Sequence, residues 1–268
     1  MPKICARPIA VLLACVAATA AQAAPCGTDF NSWLSAFQRE AVAGGISQQI
    51  VSTALAGVTP DPKVLSLDRN QRVFTQSFEE FSEHRIAERI QKAQRMLIQY
   101  GSILGRMEEQ FGVPAPVVVA IWGLETDFGV VMGKQSVIRS LATLAHDCRR
   151  SEKFQAELMD ALRIIDRGDL TAADMRGAWA GELGQAQFLP SSYLKFAVDF
   201  DSNGKRDLIR SVPDVLASIA NYLKGYGWKR GSAWTEGSEN FEVLKRWNES
   251  SIYQRTIALF ATRLAANW

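Results

Sequence analysis

The chain reads as a mainly α protein with few or no short strands. Three observations carry that expectation. Apolar residues recur at helical spacing through most of the chain, runs that alternate apolar and polar residues are nearly absent, and the stretches between periodic segments are short. Taken in order, Phe30, Trp33, Leu34, Phe37 and Ala41 share one helical face, which Gly44-Gly45 ends. Ser47 caps a second helix that runs to about Gly57, and Thr59-Pro60-Asp61-Pro62 is a loop. Residues 77–110 are rich in Arg, Glu and Gln and predict helices with one solvated face, interrupted near Gly101 and Gly105. Phe78, Phe81, Ile86, Ile90, Leu97 and Leu104 can turn inward there. Further helices are expected at 137–145, 152–166, 191–197, 214–225 and 251–265, with 228–240 a surface loop inside one globular unit.

The helix expected within 113–129 is of a different kind. Pro114 and Pro116 suit an opening turn, where a missing N–H costs little, and Gly129 suits a stop. Every residue from Val117 to Leu124 is apolar or Gly, so this helix is buried on all sides. Glu125 falls in its last turn, on the face of Trp122, Ile121 and Val118. A carboxyl so placed is poorly solvated, which raises its pKa and suits it to act as a general acid near neutral pH. The alternative is a Glu that turns outward and pairs with Arg139 or Lys134.

The first 23 residues carry Lys3 and Arg7, an apolar run from Ile9 and the small-residue site Ala21-Gln22-Ala23, the pattern of a secretory signal. Leu12-Leu13-Ala14-Cys15 also resembles a lipobox, which would anchor the chain through Cys15. Removing residues 1–23 takes the formal charge from +2 to 0, since two basic and no acidic residues are lost. That balance argues against nucleic acid as a partner, because phosphate binding needs a basic face. Cys26 and Cys148 remain, and in an oxidising compartment they pair as a disulfide; the alternative is two buried thiols. Two cysteines and two isolated histidines exclude a zinc site, and neither a G-x-S-x-G elbow nor a phosphate loop is present.

Three more stretches bear on chemistry. Residues 177–193, GAWAGELGQAQFLPSSY, hold three glycines in eight positions beside Trp179, Glu182, Gln185 and Gln187. Small residues allow close backbone approach, and the two amides can grip hydroxyl or N-acetyl groups, which suits a sugar groove as well as it suits a tight, Trp-packed connection. Asp199, Asp201 and Asn203, with Gly204 and Asp207, follow the calcium-loop pattern; Arg210 stands where the bidentate carboxylate belongs, and Asp214 is a substitute. Without an ion the same residues make an acidic Asn-Gly turn. Late in the chain come Tyr222, Tyr226, Trp228, Trp234, Trp247, Asn248 and Tyr253, either sugar-stacking or core. Arg149-Arg150 suits a substrate carboxylate or a solvated basic turn.

GLETDFG around Glu125, the segment 177–193, DFDSNGKRDL and ANYLKGYGW together resemble the membrane-bound lytic murein transglycosylase B family, in that family's order and over nearly all of residues 24–268. The resemblance implies a lysozyme-like catalytic domain with a helical N-terminal extension and no C-terminal peptidoglycan-binding module. It implies cleavage of the β-1,4 MurNAc–GlcNAc bond with formation of 1,6-anhydroMurNAc, the alternatives being a hydrolytic muramidase and a non-catalytic wall-binding protein. Glu125 is then the single acid/base. Gln187, Arg149, Arg150, Tyr222, Trp247, Asn248 and Tyr253 bind substrate, and Asp199, Asp201, Asn203, Asp207 and Asp214 form the ion loop. No cofactor is needed for the chemistry, beyond a structural calcium. The partner is a glycan strand, contact with membrane is peripheral or absent, and the chain is a periplasmic monomer, with a lipid-anchored outer-membrane form as the variant. Two positions depart from the family's pattern. Ala178 stands for a serine near the catalytic Glu, and Trp247 for a tyrosine, which removes a hydroxyl and keeps an aromatic wall.

Overall fold

The computed structural model describes residues 25–70, 76–266 and 268. The expected signal segment, its cleavage site and Cys15 lie outside the described residues. At the centre is the helix Ala115–Thr126, with Ala115 to Gly123 and Thr126 all buried. Its sequence has no polar face to offer solvent, so it forms only because neighbours cover it on every side. Those neighbours are Ile90–Gln99, Gly101–Phe111, Val212–Gly225 and Ser251–Ala265, with Phe78–Ala87 laid across the last of these.

In chain order the helices are α1 (Phe30–Ala43), α2 (Gln48–Ala54), α3 (Pro62–Arg69), α4 (Phe78–Ala87), α5 (Ile90–Gln99), α6 (Gly101–Phe111), α7 (Ala115–Thr126), α8 (Val137–His146), α9 (Ser151–Asp166), α10 (Pro190–Phe196), α11 (Val212–Gly225), α12 (Glu239–Trp247) and α13 (Ser251–Ala265). A hairpin of α8 and α9 forms a second layer, on which α1, α2 and α3 pack from the N-terminal side and α10 from the other. Among the described residues the strands are two short ones, β1 (Gln135–Ser136) and β2 (Arg176–Gly177), paired antiparallel. Isolated bridges then tie Gly177 to Leu183 and Leu183 to Phe188.

The expected helices are present with ends shifted by a residue or two. Three differences have physical causes. Gly105 does not interrupt α6, because a Cβ there would meet nothing; the glycine is merely tolerated in an exposed helix position. The break expected near Gly101 is present at Tyr100, between α5 and α6, and another falls at 88–89, where Arg89 donates from Nε to Gly123 O (3.0 Å) and turns the chain from α4 into α5. Two helices, α3 and α12, were not foreseen. Each is short, and each is secured by side-chain caps, Asp61 accepting from Lys63 N and Ser238 from Phe241 N, more than by a long apolar stripe.

Cys26 and Cys148 are joined as a disulfide, with Cα atoms 5.2 Å apart. The bond ties the segment before α1 to the connection between α8 and α9. Gly27 N donates to His146 O (3.1 Å) beside it.

Candidate active site

Glu125 stands in the last turn of α7, and the local sequence explains how it is held. The helix ends on three left-handed residues, Asp127, Phe128 and Gly129, with φ of 51°, 58° and 83°. The turn folds Phe128 back on its own helix, edge-on to Trp122 at 5.3 Å and over Gly123, where a Cβ would lie 2.6 Å from the ring. Lys92 of α5 fixes the turn from outside, donating to Asp127 O (2.9 Å) and pairing with its carboxylate (3.3 Å). From inside, Trp122 Nε1 donates to Gln185 Oε1 (2.9 Å) and Thr126 Oγ1 to Gln185 O (2.8 Å). The end of α7 is thereby fastened to the glycine-rich segment 177–189.

Those bonds correct one expectation. Gln185 is buried, its Nε2 donates to Ile209 O (2.9 Å), and both ends of its amide serve the scaffold, so it is not a sugar ligand. Gln187 is different. It sits at φ 49° and half-buried in the cleft wall, its Nε2 donating to Gly184 O (2.8 Å) and Met132 O (3.1 Å). Its Oε1 is left to accept from a ligand.

The two segments frame a cleft of about 450 Å³ with Glu125 in its wall. The glycine-rich segment contributes Ala178, Trp179, Glu182 and Gln187; the opposite side contributes Tyr222, Arg246, Trp247 and Asn248. Tyr222 donates its hydroxyl to Arg246 O, which closes the aromatic wall: its ring meets Trp247 edge-on at 4.9 Å, and Phe188 packs on both, 5.7 Å from Trp247 and 5.6 Å from Tyr222. The indole held by these two rings points its N–H at Glu125.

Glu125 does not turn outward, and Arg139, one of its alternative partners, pairs instead with Asp61 (3.3 Å). Trp247 Nε1 donates to Glu125 Oε1 at 2.7 Å and Tyr253 Oη donates to the same oxygen at 2.9 Å. Trp247 is therefore more than a wall; its N–H supplies a donor to the carboxyl. Glu125 Oε2 makes no hydrogen bond among the described residues. Burial pushes the Glu125 pKa up to about 7, against the pull of the two donors and with help from the Glu182 charge. The arrangement leaves about half of the acid protonated at pH 7, and with both donors on Oε1, Oε2 is the oxygen open to a ligand. Burial and the facing carboxyl also hold the Tyr253 hydroxyl well above its ordinary pKa, so it stays a donor.

Arg149 and Arg150 do not line this cleft. Both grip the buried carboxylate of Asp68, Arg149 at 3.0 Å, and border a neighbouring depression with Lys153 and the disulfide. Asp199, Asp201 and Asp214 bring carboxylate oxygens within 4.8 Å of one another. Asp199 accepts from Asn203 N (3.0 Å) and Gly204 N (2.8 Å), and Asn203 Oδ1 accepts from Lys205 N (2.9 Å), the tight turn an ion loop needs. Asp214 is fully buried, and burial raises its pKa although its oxygens accept from Phe200 N (2.7 Å), Asp201 N (3.3 Å) and Asp207 N (2.9 Å). Hard oxygen donors of this kind fit calcium. Asp207 leaves the set: its oxygens accept from Ile209 N and Arg210 N and pair with the Arg210 guanidinium (3.2 Å). Arg246 and Glu249 of the cleft were not foreseen, although both flank the Trp247-Asn248 pair.

The family described as Transglycosylase SLT domain matches residues 29–237. The chain is 40% identical over 134 residues to membrane-bound lytic murein transglycosylase B of Escherichia coli, a match covering half of this chain and 37% of that protein. Among solved structures it is similar to SltB3 from Pseudomonas aeruginosa in complex with NAG-anhNAM-pentapeptide, at 35% identity and a TM-score of 0.85 over 89% of this chain and 80% of that one. It is also similar to the Escherichia coli lytic transglycosylase Slt35 in complex with calcium, at 26% identity and a TM-score of 0.78 over 93% and 99% of the two chains.

Proposed function

The chain belongs to the SLT-domain transglycosylase family, with that family's lysozyme-like helical fold, and on this premise we propose that it is a peptidoglycan lytic transglycosylase with Glu125 as its single acid/base. The observation that carries the reading is the carboxyl itself. Its pKa is raised to about 7, both donors are on Oε1, and Oε2 stays open in a cleft walled by Trp179, Gln187, Tyr222 and Asn248.

The steps follow from that geometry. Glu125 Oε2 gives its proton to the glycosidic oxygen as the bond from MurNAc C1 breaks. The MurNAc N-acetyl group stabilises the oxocarbenium-like centre. Glu125, now a carboxylate held by Trp247 and Tyr253, removes the proton of the MurNAc C6 hydroxyl, whose oxygen closes on C1. The products are a free GlcNAc hydroxyl and a 1,6-anhydroMurNAc end, and Glu125 is again the acid. No paired carboxylate is required, unlike the usual glycosidase. Gln187, Tyr222, Trp247 and Asn248 hold the sugars, and Arg149 and Arg150 meet a peptide stem carried past the cleft.

Asp199, Asp201, Asn203 and Asp214 would hold a structural calcium, which would stiffen the connection from α10 to α11 and lies outside the chemistry at Glu125. Residues 24–268 form one catalytic unit, working as a monomer in the periplasm on glycan strands after residues 1–23 are removed. No helix among the described residues is long and apolar enough to cross a membrane.

Mass analysis of fragments released from purified peptidoglycan tests the reading. Anhydro-ended fragments are expected, and none from Glu125→Gln. Fragments heavier by one water would establish a hydrolytic muramidase, and co-sedimentation without release a wall-binding protein.

A further inference from the structure

Glu182 is a carboxyl that the fold does not need and the mechanism above does not use. It lines the same cleft as Glu125. Its backbone is fixed: Glu182 O accepts from Ala178 N (2.9 Å), and a Cβ on Gly177 would strike that oxygen at 1.8 Å. Gly181 at φ 98° is pressed against Leu141, and Gly184 at φ 71° against Leu208 O. The turn therefore fixes the backbone that carries the half-buried side chain. Its Oε2 is buried and has no hydrogen-bond partner. A buried, unpartnered carboxyl oxygen costs stability and calls for a reason. Asp127, another acidic residue near the catalytic helix end, is paired with Lys92 and lies away from the cleft.

We propose that Glu182 is a positioning residue for the reaction: a second carboxylate built into the cleft wall, whose charge holds the proton on Glu125 before cleavage and strengthens Glu125 as a base afterwards. The inference rests on the role assigned to Glu125 above. Like charges in one poorly solvated cleft resist ionising together, so the second to ionise does so at higher pH. Glu125 must be an acid at the start of the cycle and take a proton from an alcohol at the end, and one neighbouring negative charge favours both. The groups facing Glu182 set how far it is ionised. Burial has the largest effect and raises its pKa; the backbone N–H groups of Glu182 and Ala180, and then the charges of Lys153 and Arg150 beside the start of α9, favour its charged form. Glu125 is faced by Trp247 and Tyr253 from the other side, and Arg246 and Glu249 complete the charged groups of the cleft. The family's single-carboxyl scheme leaves this tuning to burial; here a charge is added to it.

The test reads Glu125 directly, by titrating its side-chain carboxyl carbon in 13C-glutamate-labelled protein, the signal being assigned by its loss in Glu125→Gln. In the wild type the Glu125 curve should show two steps, a main one near 7 and a smaller one where Glu182 titrates. Glu182→Gln should merge them and move the main step down by about 0.5–1 unit, with the alkaline limb of kcat/KM moving by the same amount. Glu182→Asp, which keeps the charge, should restore most of the shift. A single-step wild-type curve, or a midpoint unmoved or raised in Glu182→Gln, overturns the proposal. If the midpoint falls as stated and no anhydro fragment is ever released, the coupling stands and the assigned reaction fails.

Discussion

Removing one hydrogen-bond donor from the cleft should move the pH at which the enzyme stops working. In Trp247→Phe a ring still packs against Tyr222 and Phe188, but the N–H aimed at Glu125 Oε1 is gone. That bond, at 2.7 Å, favours the carboxylate over the carboxylic acid. A hydrogen bond to a charged group contributes about 1.5–3 kcal/mol, and part of it survives with the neutral acid, so the difference between the two protonation states is about 1–2 kcal/mol. At about 1.4 kcal/mol per unit, the Glu125 pKa should rise by about one unit from its value near 7. The direction is opposite to that of a simple loss of function. The alkaline limb of kcat/KM should extend upward, so that the ratio of variant to wild-type activity increases between pH 7 and 9 even where both are slow. Trp247→Tyr, which returns a hydroxyl to the position, should bring the limb back. The assay is fragment release from soluble glycan strands across pH 5–9, with thermal denaturation as a check on folding. An alkaline limb that stays in place, or moves down, in a folded Trp247→Phe would refute the argument that this N–H holds the charged form.

Glu125→Gln should lower the cleavage rate by at least about 100-fold, the low end for a general acid. It should also stabilise the protein above pH 7: the native pKa near 7 lies above the ordinary 4.5, so native stability is complete below pH 4.5 and falls as pH rises through 7. The gain should be about 1–3 kcal/mol by denaturant titration at pH 8 and absent at pH 4. Calcium at millimolar concentration should raise the melting temperature of the wild type, and Asp201→Asn should shrink that gain by removing one of three clustered charges. Paired Cys26→Ser and Cys148→Ser substitutions should cost about 2–5 kcal/mol of stability, since the bond spans 122 residues, while leaving the pH limits of activity in place.

What the sequence made legible was periodicity and isolated chemistry. The helix 115–126 could be placed because Val117 to Leu124 admit no solvent face, and Glu125 drew notice because it broke that run. The short helices α3 and α12 lacked such a pattern and were missed. The difference between Gln185 and Gln187 was not legible either. Two amides, two residues apart, look alike until the partners at Trp122, Ile209, Gly184 and Met132 are in place, and those partners come from distant parts of the chain. The same holds for Trp247. Its type promised an aromatic surface, whereas the direction of its N–H depends on Tyr222 and Phe188 packing against the ring. Asp207 fitted a ligand spacing, and Arg210, three residues on, took its charge for the surface of the loop.

Placing one acid at a helix end raises a mechanical problem, because the last turn of a helix is where backbone hydrogen bonds run out and fraying begins. Here the turn is bound on three sides. Asp127 is held by Lys92, Phe128 packs on Trp122 and Gly123, and Gln185 accepts from both Trp122 and Thr126. Trp122 and Thr126 flank Glu125 in sequence, and both point to Gln185, so the carboxyl stands on a segment pinned before and after it. Gln185 lies two residues from Gln187 and three from Glu182, in a turn whose glycines leave no room to shift. Glu125, Gln187 and Glu182, which all line the cleft, are thus parts of one rigid assembly. That rigidity is what lets a single donor on Oε1, or a single charge across the cleft, alter the proton on Oε2 without being absorbed by movement.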